Sequence, residues 1–156
     1  MTFTFANFLR AALIIALAAS LTAAARSASA AVDPINKNIF GTALKGYDAV
    51  AYFKEGKAVK GKDEFRHEWM GAKWYFASAA NRDDFAKAPD KYAPQFGGYC
   101  AWAVAHNYTA GIDPEAWRIV DCKLYLNYSK DVQKKWEADI PGFIKAGTEN
   151  WPKLKK

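Results

Sequence analysis

Two pairs of short, aromatic-rich runs, each joined by two residues, constrain the fold of this chain most. Runs of this kind on either side of a two-residue connection are typical of β-hairpins. The predicted hairpins are 64–70 with 73–77, joined by Gly71-Ala72, and 117–120 with 123–127, joined by Asp121-Cys122. A type I′ turn needs positive φ at both central residues, so we expect Asp121 and Cys122 to have left-handed backbones.

Short helical stretches and one further strand-like run lie around these hairpins. Ser78 is a good N-cap for a helix over 79–87, and Ser129 for a final helix that is broken at Pro141-Gly142. The other predicted elements are a strand at 47–53 and a helix at 99–106. Hairpins alternating with short helices predict an α+β fold, a small antiparallel sheet with helices packed on it, rather than a doubly wound sheet.

The first thirty residues have the features of a secretory signal peptide. Arg10 precedes an apolar run from Ala11 to Ala19, and small residues follow up to Ala28-Ser29-Ala30. A short positive region, a short apolar stretch and an A-x-A site are typical of a cleavable signal. The run is too short for a membrane span, which needs about 20 apolar residues. We expect export, most simply to a bacterial periplasm, with cleavage near Ala30 and no stable membrane anchor afterwards.

The remaining residues divide into a predicted linker at 31–45 and one domain at 46–154. The formal net charge of the whole chain is +6, and no run of five or more like charges occurs. Nucleic-acid binding therefore has no support in the sequence, because a nucleic-acid interface needs clustered basic residues.

Several blocks of this domain together resemble exported members of the YHS domain family. The opening block is Gly46-Tyr47-Asp48-Ala49-Val50-Ala51-Tyr52-Phe53. The later blocks are Trp74 to Ser78 with Asp84-Phe85, then Pro89, Lys91 and Tyr92, then Gly97 to Ala101, and Lys123 to Tyr128. The resemblance extends from about Gly46 to Leu154. It implies a YHS-like fold and an association with metal handling, notably of copper and other heavy metals.

The resemblance also shows where this chain departs from metal-binding relatives. Forms with a thiolate site have cysteines where this chain has Ala51, Ala77 and, nearby, Asn81. A thiolate site at those positions cannot exist here. A copper or other transition-metal ion would need different ligands.

Cys100 is the first candidate for such a ligand. It follows Gly97-Gly98 and falls in the first turn of the predicted helix, where the helix dipole favours a thiolate. The alternative is a small buried hydrophobic residue. The further candidate ligands are Asp48 and Tyr47, in the opening block, and His67, on a predicted strand face. For Asp48 and His67, the sequence favours a structural role over a ligand role. His106 is six residues after Cys100 and would point away from it on a regular helix.

Cys122 offers a competing role for Cys100. An exported protein is in a compartment that permits disulfides, so Cys100 and Cys122 are a possible pair. Such a bridge requires Cα atoms within about 7 Å of each other. Otherwise we expect Cys122 to be an exposed free thiol.

Three functions remain open on the sequence alone. The first is metal-ion binding, of copper in particular, through Cys100 and the Tyr47-Asp48 segment. The second is a module without metal, whose aromatic pocket binds a small ligand or another envelope protein. The third is thiol redox chemistry at Cys100. No nucleophile elbow, phosphate-binding glycine loop or paired-carboxylate signature occurs, so binding is favoured over catalysis.

Overall fold

A computed structural model describes residues 31–155. The predicted signal peptide at residues 1–30 lies outside this range. The elements are short and follow one another closely, in the order α1 Ala51–Lys54, β1 Lys62–Trp69, β2 Ala72–Phe76, α2 Ala79–Lys87, α3 Pro89–Tyr92, α4 Ala101–Ala105, β3 Asp113–Val120, β4 Lys123–Asn127, α5 Lys130–Glu137 and α6 Ile140–Leu154. Within 31–155, no helix combines the length and the apolar character that crossing a bilayer requires.

Both predicted hairpins are present, which confirms the α+β fold. β1 pairs with β2 and β3 with β4, each as a two-stranded antiparallel sheet. The turn of the first hairpin is Met70-Gly71 rather than the predicted Gly71-Ala72, because Ala72 already pairs with Trp69. The second turn has φ of 48° at Asp121 and 59° at Cys122, as a type I′ turn requires.

The predicted strand at 47–53 is wrong, and the reason is local. Oδ1 of Asp48 accepts hydrogen bonds from the backbone N–H groups of Val50 at 2.8 Å and Ala51 at 3.1 Å. A carboxylate that binds the N–H groups just after it favours a helix start over a sheet ladder. The chain therefore turns into α1. The hydroxyl of Tyr52 on α1 donates to the carbonyl of Pro114 at 3.0 Å, which links α1 to β3.

The helices largely follow the predicted caps. The hydroxyl of Ser78 accepts from the N–H of Asn81 at 3.1 Å, and α2 begins directly after it. Ser129 caps α5 in the same way through Val132. The helix predicted at 99–106 is shorter, because Cys100 is its N-cap and only Ala101–Ala105 are helical. The sequence had suggested that Cys100 lies in the first turn of this helix, whereas in the structure it precedes that turn.

The segment predicted as a linker, 31–45, is packed onto the domain. Ile35, Ala43 and Leu44 are buried in the main hydrophobic core. Asn36 uses its backbone N–H to bind the carbonyl of Gly97, and its side-chain amide to bind that of Gly98. Apolar burial and long-range hydrogen bonds make this segment part of the fold, a role that its composition did not reveal.

Aromatic side chains dominate two neighbouring cores. In the first, the ring of Phe85 lies 5.0 Å from those of Trp74 and Phe76, measured between centroids. The predicted packing of β2 against Phe85 is therefore confirmed. The second core surrounds Trp136, whose ring lies 5.3 Å from that of Tyr125. The first core holds β1, β2 and α2 together, and the second joins β4 to α4, α5 and α6.

Candidate functional site

Asp48 is a structural carboxylate. Its Oδ1 binds the start of α1, and its Oδ2 accepts from the N–H of Ala77 at 2.8 Å and from the side-chain amide of Asn81 at 2.7 Å. A carboxylate has about four lone-pair sites. All four are used by protein donors, so Asp48 has no free position for a metal ion.

Tyr47 and His67 occupy separate surroundings. The ammonium of Lys60 lies over the Tyr47 ring, 4.7 Å from its centroid. His67 is half-buried on β1 and meets the ring of Phe85 edge-on at 6.1 Å. Both side chains pack against the first core or its edge.

Cys100 is buried, with 1% of its surface exposed. Its backbone N–H donates to the carbonyl of Ala110 at 3.1 Å, and its backbone pairs with Leu126 of β4. The Sγ atom lies 3.7 Å from Oδ1 of Asn127, to which the thiol donates a weak hydrogen bond. The thiol is thus held at a fixed place between α4 and β4.

Asn127 is the residue at this site that the sequence did not single out. It is fully buried, and its Oδ1 also accepts from the N–H of Trp102 at 3.2 Å. Because the thiol and this N–H are both donors, the carboxamide must turn its oxygen toward them. Its Nδ2 has no hydrogen-bond partner among the described residues. The sequence feature that could have pointed to Asn127 is its position as a polar residue at the end of the apolar strand β4.

An open cavity of about 230 Å³ lies in front of Cys100. We call it the Cys100 cavity. Its walls are aliphatic, aromatic or sulfur-bearing, and its lining consists of Cys100, Trp102, Ala103, Tyr108, Ala110, Tyr128 and Val132. Cys100 and Ala103 are buried and form the floor, whereas Tyr108 and Tyr128 are 46% and 61% exposed and form the rim.

His106 supports one wall of this cavity from outside. Its ring lies 3.9 Å from that of Trp102, and its Nδ1 is 2.7 Å from the carbonyl of Trp102. Since a carbonyl can only accept, Nδ1 carries the proton in this contact. The histidine is exposed and points away from the thiol, in agreement with the helical spacing.

The two cysteines are free thiols in the structure and lie apart. Cys100 pairs with Leu126, which is four residues along β4 from Cys122. At roughly 3.4 Å per residue, Leu126 and Cys122 are about 14 Å apart, and since paired strands lie about 5 Å apart, Cys100 remains about 9 Å or more from Cys122. Disulfides need Cα atoms within about 7 Å. The geometry therefore does not bring Cys100 and Cys122 together, and Cys122 is exposed at the turn.

The residues proposed as metal ligands do not fit one metal site. Within residues 31–155, no three side chains of His, Cys, Asp or Glu converge on a common point. Asp48 is saturated by N–H donors, and Cys100 faces an amide and aromatic rings. Stable transition-metal sites usually need several such ligands with defined geometry.

Within residues 31–155, five groups have shifted pKa values, and none of these five lines the Cys100 cavity. Burial raises the pKa of Tyr52 far above its ordinary value, and raises that of Tyr99 and Tyr125 to a smaller extent. On the surface, the hydrogen bond between Lys54 and Asp84 raises the pKa of the lysine and lowers that of the carboxyl. These shifts come from packing and from one exposed ion pair.

Comparison with known protein families finds a match for one segment of the chain. The family model described as the YHS domain matches residues 50–96, from the residue before α1 to the turn after α3. No curated protein and no solved structure matches the chain. The matched segment contains the first hairpin, α2 and α3, whereas Cys100 and Asn127 follow it. The chain therefore contains a YHS domain at residues 50–96.

Proposed function

We propose that this protein binds a small, largely apolar molecule with one flat ring in the Cys100 cavity. The observation that carries the proposal is an open concavity with a buried floor and two exposed tyrosines at its rim, whose lining has no charged residue among those that the structure describes. The two tyrosines border one apolar concavity, and a contiguous exposed apolar surface is informative where isolated exposed residues are not. A concave, mostly apolar site with few polar groups is typical of small-molecule binding.

The volume limits the ligand to about one ring. Drug-sized ligands occupy sites of about 300–1,000 Å³, and the cavity measures about 230 Å³. An apolar cavity of about 150 Å³ accepts benzene. A phenol- or indole-sized molecule therefore matches the space better than a nucleotide or a lipid chain does.

The lining also suggests how such a ring would be held. Trp102 offers an indole face whose position is fixed by His106 on its other side. The Tyr108 ring meets Trp102 edge-on at 6.3 Å between centroids, which leaves an aromatic corner at the rim. Aromatic pairs favour edge-to-face and offset contacts, so a flat ring gains more here than an aliphatic one. The tyrosine hydroxyls are the polar groups available to a ligand substituent.

Metal binding and thiol redox chemistry have weaker support at this site. A lone buried cysteine among aromatic rings behaves as a small hydrophobic residue with a weak S–H donor. Reactive thiols generally occupy partly exposed, electropositive surroundings, whereas Cys100 is almost inaccessible and the cavity has no charged lining residue. Copper binding remains the alternative that the YHS resemblance suggests.

The test is a titration of the protein with phenol and with indole, followed by amide chemical shifts. We expect saturable shifts centred on Cys100, Ala110 and Tyr128. Ala110→Leu places a larger side chain in the cavity and should weaken binding at least tenfold. The matched control is Ala80→Leu on the exposed face of α2, which should leave binding unchanged.

Two outcomes would overturn the proposal. The first is binding that Ala110→Leu leaves unaltered, since the ring would then lie elsewhere. The second is an absence of ring binding together with stoichiometric Cu(I) binding that Cys100→Ser abolishes. That result would favour the metal alternative.

A further inference from the structure

A second, larger concavity lies on another side of the molecule, between β1, the turn before Tyr99 and α6. We call it the Trp151 groove. Its volume is about 490 Å³, and it shares no lining residue with the Cys100 cavity. Its aromatic walls are formed by Trp69, Phe96, Tyr125 and Trp151. This size is within the range of small-molecule sites.

Two glycines allow close approaches beside the Trp151 groove. A Cβ on Gly97 would lie 1.9 Å from the carbonyl oxygen of Pro34, and one on Gly147 would lie 2.6 Å from Cζ of Phe96. Phe96 itself has φ of 54°, a conformation that is unfavourable for a bulky residue. The Phe96 ring therefore packs closely on α6 at Gly147.

Charge distinguishes this groove from the Cys100 cavity. Lys123 and Lys155 both line it, and neither forms an ion pair within the described part of the chain. Lys123 is placed by its pairing with Val120, and Lys155 by its backbone bridge to Val32. Among the described residues, Asp90 is the one acidic member of the lining. The lining therefore has one net positive charge, which complements a single negative charge.

We propose that the Trp151 groove binds an aromatic monocarboxylate, with the ring against the aromatic walls and the carboxylate toward the two lysines. Lysine ammonium groups supply three donors each and attract an anion, and because both lysines are exposed, salt weakens this attraction. Asp90 would repel a second negative group, which disfavours dianions. This inference is independent of the function proposed for the Cys100 cavity.

The test compares phenylacetate with phenylacetamide, which have nearly the same shape and differ in charge. Both are titrated into the Ala110→Leu variant at pH 7 and low ionic strength, so that ring binding in the Cys100 cavity does not contribute. We expect phenylacetate to bind at least fivefold more tightly, with amide shifts at Gly97 and Thr148. Salt should reduce the difference, because screening weakens exposed charge interactions.

The double variant Lys123→Gln/Lys155→Gln should lose this preference for the anion. Its control is Lys57→Gln/Lys62→Gln, which removes the same charge from exposed lysines outside the groove and should retain the preference. Equal affinities for the two compounds in the Ala110→Leu variant, without the lysine substitutions, would overturn the proposal. So would an anion preference that survives in the Lys123/Lys155 variant, because the charge would then be recognised elsewhere.

Discussion

The side-chain amide of Asn81 donates a 2.7 Å hydrogen bond to Oδ2 of Asp48, and both residues are buried. The same carboxylate also binds N–H groups at the start of α1 and at the end of β2. One ionisable side chain thus fixes three elements of the domain relative to one another. Burying it is tolerated because each of its lone pairs has a donor.

We expect Asp48→Asn to destabilise the domain by about 2–4 kcal/mol, the combined effect of a lost charged hydrogen bond and an unpaired buried donor. The new amide would place an NH2 group against an N–H donor, although its shape is nearly unchanged. Urea unfolding measures the loss. The control is Asp63→Asn, whose carboxylate is exposed on β1 and should cost less than about 0.5 kcal/mol. A loss below about 1 kcal/mol for Asp48→Asn would contradict the structural role.

Phe85 provides a second test of the core. Its ring contacts Trp74 and Phe76 and is fully buried. Phe85→Ala should therefore cost about 3–5 kcal/mol in the free energy of unfolding. Phe40→Ala is the matched control, since Phe40 is 72% exposed. Comparable effects for the two variants in denaturant melts would show that this packing does not hold in solution.

The features that sequence predicted well are those determined by neighbouring residues. The Asp121-Cys122 turn and the Ser78 cap depend on a few adjacent positions, and the structure confirms both. The sequence favoured a structural role for Asp48, but its partners Ala77 and Asn81 were not visible, because they are about thirty residues away. Its local bonds to Val50 and Ala51 also replaced a predicted strand by a helix start.

The candidate sites were harder to predict for the same reason. The sequence singled out Cys100, but the Cys100 cavity also needs Tyr128 and Val132 from beyond β4. The Trp151 groove combines residues from as far apart as Pro34 and Lys155. Neither concavity has a periodic pattern or a local motif, because both arise only when separate segments pack together.

The export prediction concerns residues that the structure does not describe. We propose that expression of the full chain in a Gram-negative host yields a periplasmic product that begins at or near Ala31. The physical basis is the apolar run from Ala11 to Ala19 followed by Ala28-Ser29-Ala30. N-terminal sequencing of the product in the periplasmic fraction identifies its first residue. Substituting Arg for Leu13 interrupts the apolar run and should leave the chain unprocessed. A cytoplasmic product starting at Met1 in the parent would disprove export.

The two thiols should differ sharply in reactivity. Cys122 is exposed at the second turn and Cys100 is buried. We expect one thiol per chain to react rapidly with a chromogenic disulfide reagent in the native state, and two after unfolding without reductant. Cys122→Ser should remove the fast phase, whereas Cys100→Ser should leave it intact. Finding no free thiol in unfolded monomer would instead establish the Cys100–Cys122 bridge.

Tyr52 should make stability depend on pH in the alkaline range. Burial, followed by the charge of Glu115, raises the pKa of its phenol far above that of an unfolded tyrosine, which is about 10. The folded state therefore retains the proton that the unfolded chain loses. The contribution of Tyr52 is fully present below about pH 10 and declines as pH rises further, by at most about 1.4 kcal/mol per pH unit.

Comparison with Tyr52→Phe isolates this effect. At pH 7 the variant should be less stable by about 1–2 kcal/mol, because the carbonyl of Pro114 loses its hydrogen-bond donor. Between pH 10 and 11 the gap should narrow, since only the parent still has a phenol at position 52 to deprotonate on unfolding. Tyr128→Phe serves as the control, because Tyr128 is exposed and its removal should leave the slope unchanged. Guanidinium melts at several pH values provide the free energies, and a gap that stays constant up to pH 11 would show that the Tyr52 phenol ionises as readily in the folded as in the unfolded state.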